Sequence, residues 1–342
     1  MVRYPTSGDR AVAVDLGTAQ IRIYRKGDGV VVDEPSVVAL DHHTSTLCGI
    51  GLNAKSMLGR TPAAITACRP LDCGIIIDFE AARLLLRYYL AQVRRSRYAM
   101  RPIVVTAMPV GRTGIQTRAV AEAFRQAGAG GVHVVDAPLA AAVGAGMSVQ
   151  GPGGSMVVDI GAGTTDAAVL ALGTIVTAQS LPVAGNAFDQ TLIEHVRQHH
   201  ALQLSSVAAE QLKIAAGSPE ARADGKHRIE VRGRDCASGL PRTLQLPADE
   251  IHEALEPPMR TVAQSIHEVL GQAPTDLAVD VMERGIVLTG GSAQLPGLDE
   301  ELGRRLGVPI ITAEEPQFAT ARGLGAWIEG AKASRRPLPQ LA

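Results

Sequence analysis

The fold of this chain is decided by the stretch Met156-Val-Val-Asp-Ile-Gly-Ala-Gly-Thr-Thr-Asp-Ala-Ala-Val-Leu170. An apolar strand reaches Asp159, turns tightly through Gly161-Ala-Gly163 and continues as a second apolar strand. Backbone N–H groups in such a turn of small residues can approach a phosphate closely, and Asp159 adds a carboxylate for hydrated Mg²⁺. Thr164 and Thr165 add hydroxyls. The stretch therefore predicts a phosphate-binding hairpin, although an ordinary tight hairpin fits the same residues.

A second copy of this plan lies near the N-terminus, in Ala11-Val-Ala-Val-Asp-Leu-Gly-Thr-Ala-Gln-Ile-Arg-Ile-Tyr24. An apolar strand again reaches an aspartate, Asp15, and turns through Gly17-Thr18 into an alternating strand. One such hairpin in each half-chain indicates a duplicated domain that grips a phosphate between its copies. Asp15 and Asp159 would then face each other across a cleft and hold Mg²⁺ through water, one from each side.

A third motif is Gly285-Ile-Val-Leu-Thr-Gly-Gly-Ser-Ala-Gln-Leu-Pro-Gly297, a buried strand that ends at Gly290-Gly291-Ser292. Its glycines let the backbone approach a nucleoside closely. The sequence contains no G-x-x-x-x-G-K-[ST] motif, which excludes a Walker-type loop. In this order the three motifs resemble the superfamily of actin, sugar kinases and heat-shock chaperone ATPases.

Length favours two domains, because 342 residues can bury two sizeable cores. Residues 148–154 are the clearest linker, since they are rich in glycine and other turn-forming residues. We predict domain I over residues 1–147 and domain II over residues 148–322, with residues 323–342 packing back on domain I. No apolar run approaches the roughly 18 residues that span a bilayer, so a soluble chain is expected.

The charge and the cysteines point away from two other classes of protein. A formal net charge of −1 gives no global attraction to nucleic acid, and no nucleic-acid partner is predicted. The cysteines show no C-x-x-C pairing, which indicates neither a zinc site nor a disulfide framework. We expect four small buried thiols in a reducing cytoplasm.

Three histidines, His195, His199 and His200, close a helix predicted over residues 188–200. A spacing of four could serve a metal, but no carboxylate or further ligand pattern accompanies them. We therefore interpret them as a solvated helix end, where histidine suits the helix dipole. A second helical pattern, over residues 248–270, is predicted to break at Pro257-Pro258.

Further motifs narrow the resemblance to one family. They are Asp15-Leu-Gly-Thr-Ala19, Asp33-Glu-Pro-Ser-Val37, Met57-Leu-Gly-Arg-Thr-Pro62, Gly74-x-x-x-Asp78-Phe79, Pro138-x-Ala-Ala-Ala-x-Gly144 and Glu283-Arg-Gly-Ile-Val-Leu-Thr-Gly-Gly291. Over nearly the whole chain they resemble the MreB family of bacterial actins, which includes the MreB-like Mbl proteins. The resemblance implies an α/β, actin-like ATPase fold with two duplicated domains in four subdomains. It also implies ATP and Mg²⁺ in the central cleft.

The resemblance assigns roles to particular residues. The first phosphate loop would be Asp15, Gly17, Thr18, Ala19 and Gln20. The second would be Asp159, Gly161, Ala162, Gly163, Thr164 and Thr165. Glu210 and Lys213 would contact ribose and adenine, although alone they predict only a surface helix pair. Gly290 and Gly291 would form the adenosine-binding turn, and Asp15 and Asp159 would hold Mg²⁺ through water.

Three residues depart from the family pattern. Gln20 stands where the family usually has Asn, and its longer amide can still reach phosphate. Ala162 replaces a glycine, at small cost unless the position needs a positive φ. Ala137 replaces the glutamate that orients the attacking water, which leaves Thr165 and Asp159 as candidate catalytic residues. We therefore expect ATP binding with, at most, slow hydrolysis.

The implied partners are further copies of the chain in a filament, a paralogous bacterial actin and the cell-wall elongation machinery that sets cell shape. The implied location is the cytoplasm, peripherally on the inner membrane surface. Arg94-Arg-Ser-Arg-Tyr-Ala-Met-Arg101 combines arginines with Tyr98 and Met100, as a membrane-touching loop would. A solvated basic loop fits the same residues.

Two other functions belong to the same superfamily. A small-molecule kinase would need a catalytic base placed for a hydroxyl substrate, and usually larger insertions, and the sequence shows neither. A chaperone-type ATPase would need a peptide-binding domain after the third motif, and the remaining tail is too short for one. Of these three functions, the sequence favours a polymer whose assembly is controlled by nucleotide binding.

Overall fold

Each predicted hairpin forms the centre of a five-stranded sheet in the computed structural model, which describes residues 10–41, 43–44, 46–94 and 100–330. The strands are β1 (Ala11–Leu16), β2 (Gln20–Arg25), β3 (Gly29–Pro35), β4 (Val38–Asp41), β5 (Leu47–Ile50), β6 (Ile65–Cys68), β7 (Leu71–Asp72), β8 (Ile75–Ile76), β9 (Ile103–Met108), β10 (Gly131–Asp136), β11 (Ser155–Ile160), β12 (Thr165–Ala171), β13 (Thr174–Leu181), β14 (Leu202–Gln203), β15 (Arg228–Asp235), β16 (Pro241–Pro247), β17 (Ile286–Thr289) and β18 (Ile310–Thr312).

The helices are α1 (Leu52–Met57), α2 (Phe79–Val93), α3 (Gly114–Gln126), α4 (Ala137–Gly144), α5 (Gly185–His200), α6 (Ser206–Ala216), α7 (Pro219–Ala223), α8 (Ala248–Gly271), α9 (Thr275–Arg284), α10 (Leu298–Leu306) and α11 (Ala319–Glu329). Short 3₁₀ turns cover Gly291–Gln294 and Pro316–Phe318.

The two large sheets have the same topology. The first runs β10-β9-β1-β2-β3, and the second, taken in the corresponding direction, runs β18-β17-β11-β12-β13. In each, the first hairpin strand pairs antiparallel with its hairpin partner and parallel with a strand that arrives after a long excursion of the chain. The duplication that the two motifs predicted is thus present strand by strand.

Each large sheet also carries an inserted unit at the equivalent point. The sheet β5-β4-β6 and α1 lie between β3 and β9, and the sheet β14-β15-β16 with α6 and α7 lies between β13 and β17. Separate apolar cores lie under the two large sheets, one reaching Phe124 and the other Phe188. The molecule therefore has two large units and two small ones.

Two helices of small residues join the large sheets. The helix α4 packs against α11 and also contacts β11 and β12, while α11 packs on β1, β2 and β9. The two helices cross closely, because a Cβ on Gly144 would lie 1.7 Å from the carbonyl oxygen of Ala319 and one on Gly323 would lie 1.8 Å from that of Ala140. Since these helices bridge both sheets, the proposed division at residues 148–154 stays a prediction.

Three local predictions from the sequence were wrong. The helix predicted over residues 248–270 does not break: α8 is continuous, with Pro257 and Pro258 inside it. Burial of Leu255, Pro258 and Met259 in the core offsets the lost backbone hydrogen bonds.

The helix predicted over residues 188–200 begins earlier, at Gly185. The cysteines are not buried either. Cys48 and Cys236 are exposed, because one lies on the short strand β5 and the other in the turn after β15, and Cys68 and Cys73 are half-buried. Among the described residues, no helix combines the length and the apolar character needed to cross a bilayer.

Candidate functional site

The first hairpin turn is held in place by its own backbone and by Ser36. Gly17 N–H donates to the Gln20 carbonyl at 3.0 Å. The Ser36 hydroxyl donates to the Gly17 carbonyl at 2.8 Å, and Ser36 N–H donates to the Ala19 carbonyl at 2.9 Å. Thr18, which is buried, accepts from Gly74 N–H at 3.2 Å. The turn is therefore fixed with its hydroxyl at the base of the cleft.

The second turn is held by the start of α5 and by the third motif. Gly161 N–H donates to the Thr164 carbonyl at 2.9 Å, and Asn186 N–H donates to the Ala162 carbonyl at 2.7 Å. The Ser292 hydroxyl donates to the Gly161 carbonyl at 2.7 Å. Ala162 does not have a positive φ, so replacing a glycine there costs no backbone strain.

The two turns meet. A Cβ on Gly163 would lie 2.5 Å from the Thr18 hydroxyl oxygen and 2.9 Å from the Cys73 backbone, so only glycine fits between them. Likewise, a Cβ on Gly290 would lie 2.3 Å from a carboxylate oxygen of Asp159. The three motifs that are far apart in the sequence thus form one surface.

This surface lines a cavity of about 640 Å³ between the two halves. All but one of the residues predicted for nucleotide and metal binding line it: Asp15, Gly17, Thr18, Ala19, Gln20, Asp159, Gly161, Ala162, Gly163, Thr164, Glu210, Lys213, Gly290 and Gly291. The volume suits a drug-sized or nucleotide-sized ligand.

Thr165 is the exception. Its side chain is buried, it does not line the cavity, and its hydroxyl donates to the Val183 carbonyl at 2.7 Å. Because alternate residues of a strand point to opposite faces, Thr164 reaches the cleft while Thr165 turns into the core. The structure therefore does not place Thr165 where it could position a water molecule.

Three carboxylates converge at the cleft. Burial raises the pKa of Asp159 to about 7, helped by the charges of Asp166 and Asp15. Burial also raises the pKa of Asp166 to about 6 and that of Asp15, whose shift Arg22 reduces. Thr320 donates to Asp159 at 3.1 Å. Buried carboxylates with raised pKa values lack compensating positive charge, and hard oxygen ligands of this kind suit Mg²⁺.

The cleft contains residues that the sequence analysis missed. Asp166 lies opposite Asp159 where β11 pairs with β12, and it lines the cavity. It belongs to the stretch Met156–Leu170, but the sequence indicated only a strand residue there and no role in the site. Arg22, on β2, lies 3.7 Å from Asp15 and 2.9 Å from Asp33. Thr320 comes from α11, and no local sequence signal links it to Asp159.

Lys213 lines the cavity and is also anchored within the protein. Its ammonium lies 2.7 Å from Asp189 and donates to the Gly185 carbonyl at 3.1 Å, so it ties α6 to the start of α5. Glu210 is half-exposed and lies 4.0 Å from Lys55, which belongs to the inserted unit on the other side of the cleft. The lysine thus has a protein partner while the glutamate faces the cavity.

Ala137 lines the cleft as the first residue of α4. Asp136, the preceding residue, points away toward Arg112, whose guanidinium lies 2.5 Å from its carboxylate. The side chain of Asp136 is therefore already paired and does not replace the missing glutamate.

The duplicated sheets, with one aspartate turn from each half meeting at a shared cleft, define an actin-like fold. The chain belongs to the MreB/Mbl protein family, whose model matches residues 9–336.

Relatives with established names agree with this assignment. The cell shape-determining protein Mbl of Bacillus cereus is 40% identical over 94% of this chain and 96% of its own. The cell shape-determining protein MreB of Escherichia coli K12 is 41% identical over 93% of each chain.

Two solved structures share the fold. MreB5 of Spiroplasma citri bound to AMPPNP superposes with a TM-score of 0.85 at 30% identity, covering 93% of this chain and 95% of its own. A MamK double helical filament subunit superposes with a TM-score of 0.75 at 22% identity, covering 92% and 98%. The second comparison bears on the fold alone.

Proposed function

We propose that this chain binds ATP with Mg²⁺ in the cleft and assembles into filaments that organise cell-wall synthesis and cell shape. The observation that carries the proposal is the meeting of the two aspartate turns at one cavity, with Gly163 against Thr18. Because each half contributes one turn, a bound polyphosphate would join the halves and favour the closed cleft.

ATP is the ligand that the cavity supports best. The Thr18 hydroxyl and the backbone N–H groups of both turns, other than those of Gly17 and Gly161, would donate to phosphate oxygens. Asp15, Asp159 and Asp166 would hold Mg²⁺, directly or through water, and the ion would neutralise charge on the phosphates. The relative MreB5, which is 30% identical, has been solved with AMPPNP and with ADP.

Calorimetry with Mg²⁺ and ATP tests the binding site. Asp159→Ala should weaken Mg²⁺–ATP binding by at least about tenfold, which corresponds to about 1.4 kcal/mol. Asp276→Ala, which removes an exposed aspartate on α9, is the matched control and should bind as the wild type does. Equal affinity of the Asp159 variant and the wild type would sink the assignment.

Filament formation is supported by relatives. The curated relatives carry the name cell shape-determining protein, a role that filaments would serve. Sedimentation and electron microscopy with Mg²⁺ and ATP should show polymer that is absent without nucleotide. A chain that stays monomeric under conditions that saturate the cleft would contradict the polymer.

The proposal also includes slow hydrolysis of the bound ATP. Positioning of water and electrostatic stabilisation are most of what a protein contributes to phosphoryl transfer. Ala137 has no group that could orient water, Asp136 is paired with Arg112, and Thr165 points into the core. Turnover would then depend on partner subunits or on a paralogous bacterial actin.

Membrane association of the filaments also belongs to the proposal. It depends on residues 94–101, of which residues 95–99 lie outside the described part of the chain, while Met100 is largely exposed. Basic residues near an anionic surface contribute about 1 kcal/mol each, and a filament multiplies weak contacts. This would place filaments on the inner face of the cytoplasmic membrane, beside the wall-elongation machinery. Liposome co-sedimentation that is unchanged by Tyr98→Ser and Met100→Ser would contradict this part.

A kinase or chaperone-type ATPase of the same superfamily is the alternative. Beyond the three aspartates assigned to the metal, the described cleft has Asp189, which is paired with Lys213, and Glu210, which lies 4.0 Å from Lys55. A phosphotransfer assay over small hydroxyl compounds separates the classes, because a kinase would consume ATP only with its substrate.

A further inference from the structure

The three histidines at the end of α5 do not stand alone in the folded chain. Glu250, in the first turn of α8, lies with one carboxylate oxygen 3.0 Å from Nε2 of His195 and 2.5 Å from Nε2 of His200. One donor atom from each of the three side chains lies within 4.8 Å of the other two. The carboxylate that the sequence lacked is supplied by a helix 50 residues away.

The two histidines that meet Glu250 are His195 and His200, and not His195 and His199, which the four-residue spacing suggested. His195 and His199, four residues apart, stack ring on ring with centroids 4.2 Å apart, and Nδ1 of His199 lies 3.0 Å from the His195 carbonyl. His200 reaches Glu250 at the end of the helix, where Ala201 adopts a left-handed conformation. Sequence spacing alone would not select residues five apart.

We propose that His195, His200 and Glu250 form a binding site for a borderline divalent transition metal, of which Zn²⁺ is the representative. Two imidazoles and a carboxylate are the donors that zinc takes, usually at about 2.0–2.2 Å, with water completing a tetrahedron. Donor atoms in such a tetrahedron are separated by about 3.3 Å. The Glu250 oxygen lies 3.0 Å and 2.5 Å from the two imidazole nitrogens, both closer than this value, so small side-chain rotations that move the donors apart would admit an ion. Mg²⁺ and Ca²⁺ prefer all-oxygen sites.

Solvent can reach the site, and the positive charge of the nearby arginine is compensated. The three side chains are between 19% and 28% exposed, so an ion can enter from solvent. Arg242, which donates to the His200 carbonyl, lies 2.5 Å from Asp235, and that carboxylate offsets its positive charge. The carbonyl end of α5 also favours a cation.

An ion here would join the end of α5 to the start of α8. The helix α5 begins beneath the second phosphate turn, and α8 follows directly from β16 of the inserted sheet. At about 1.5 Å per residue, His195 and His200 lie roughly 15 Å and 22 Å along α5 from its start at that turn. The site is separate from the Mg²⁺ site and independent of the function proposed for the cleft.

Titration of the full chain with Zn²⁺, in saturating Mg²⁺ and after alkylation of the exposed thiols, tests the site. We expect one ion per chain in the wild type. His195→Gln, His200→Gln and Glu250→Gln should each weaken binding by at least about 100-fold, because each removes one of three ligands. His199→Gln, which changes the neighbouring imidazole on the same helix, should leave the affinity unchanged.

Cobalt substitution provides a readout that does not depend on the variants folding. Wild-type chain loaded with Co²⁺ should show visible d–d absorption without a thiolate-to-cobalt charge-transfer band, and circular dichroism in chelator checks that each variant is folded. Absence of stoichiometric binding, an equal loss in His199→Gln, or a charge-transfer band from cysteine would each overturn the proposal.

Discussion

At the scale of single residues, the cleft concentrates unfavourable charge that a ligand would relieve. Asp159 lies beside Asp15 and Asp166, and burial together with those charges raises its pKa to about 7. In the folded chain this carboxyl holds its proton between its ordinary value of 3.8 and about 7, whereas the unfolded chain has lost it. The free energy of unfolding of ligand-free protein therefore falls as the pH rises through this window.

Asp159→Asn should stabilise the ligand-free protein while it weakens Mg²⁺–ATP binding. At pH 8 we expect a gain in the free energy of unfolding of about 1–2 kcal/mol, less than the full pKa shift implies because water reaches the open cleft. At pH 5, where the folded carboxyl is protonated but the unfolded one is still ionised, the gain should be less than half as large, and it should vanish only below the ordinary pKa of 3.8. Urea unfolding at the two pH values, in chelator and without nucleotide, measures it. A gain that is the same at both pH values would show that the carboxylate charge is not its cause.

Ala137→Glu should increase steady-state phosphate release. A glutamate at the first position of α4 would face the cleft, and a positioned general base contributes about 10²-fold or more. Ala137→Met, which is similar in length but cannot hydrogen-bond water, is the control and should remain slow. If the glutamate variant binds ATP normally and gains nothing, the missing side chain is not what limits hydrolysis.

At the scale of elements, the crossing of α4 and α11 connects the two sheets. Gly144 and Gly323 allow each helix to lie against a backbone carbonyl of the other. Thr320, one turn from this crossing, donates to Asp159, so the position of α11 is tied to the cleft. The contact leaves no room for a methyl group on either glycine.

Gly323→Ala should destabilise the chain by about 1–3 kcal/mol, because the new methyl group must push the helices apart. Gly271→Ala, at the end of α8, has open space around its Cβ and no positive φ, and it should be neutral or slightly stabilising. Thermal unfolding of both variants provides the comparison. Equal thermal stability of the two variants would show that α4 and α11 can move apart to admit the methyl group without loss of stability.

At the scale of the whole molecule, polar contacts cross the cleft between the two halves. The Lys55–Glu210 pair at 4.0 Å links the two inserted units, and Thr18 meets Gly163 at the base. A ligand that binds both turns would add to the attraction between the halves that these contacts and the crossing of α4 and α11 already provide.

Mg²⁺–ATP at 100 times its dissociation constant should raise the free energy of unfolding by about 2.7 kcal/mol in one cooperative transition. Asp159→Ala should lose about half of this gain or more at the same ligand concentration, while Asp276→Ala keeps all of it. Calorimetric scans with and without ligand measure the effect. Stabilisation of one half alone, seen as two separated transitions, would contradict a ligand shared by both halves.

The sequence by itself determined the duplicated strand–aspartate–turn plan of the fold, and its resemblance to known proteins indicated the family and the cleft residues that would hold phosphate and metal. These follow from local signals: apolar strands that end at Asp15 and Asp159, and turns of residues small enough for close backbone approach. Tertiary structure decided what depends on residues far apart in the chain. It turned Thr165 into the core, tied Lys213 to Asp189, and kept α8 continuous through Pro257. It also brought Glu250 to the histidines, because a strand or helix sets where its own side chains point, but only packing between elements sets what they meet.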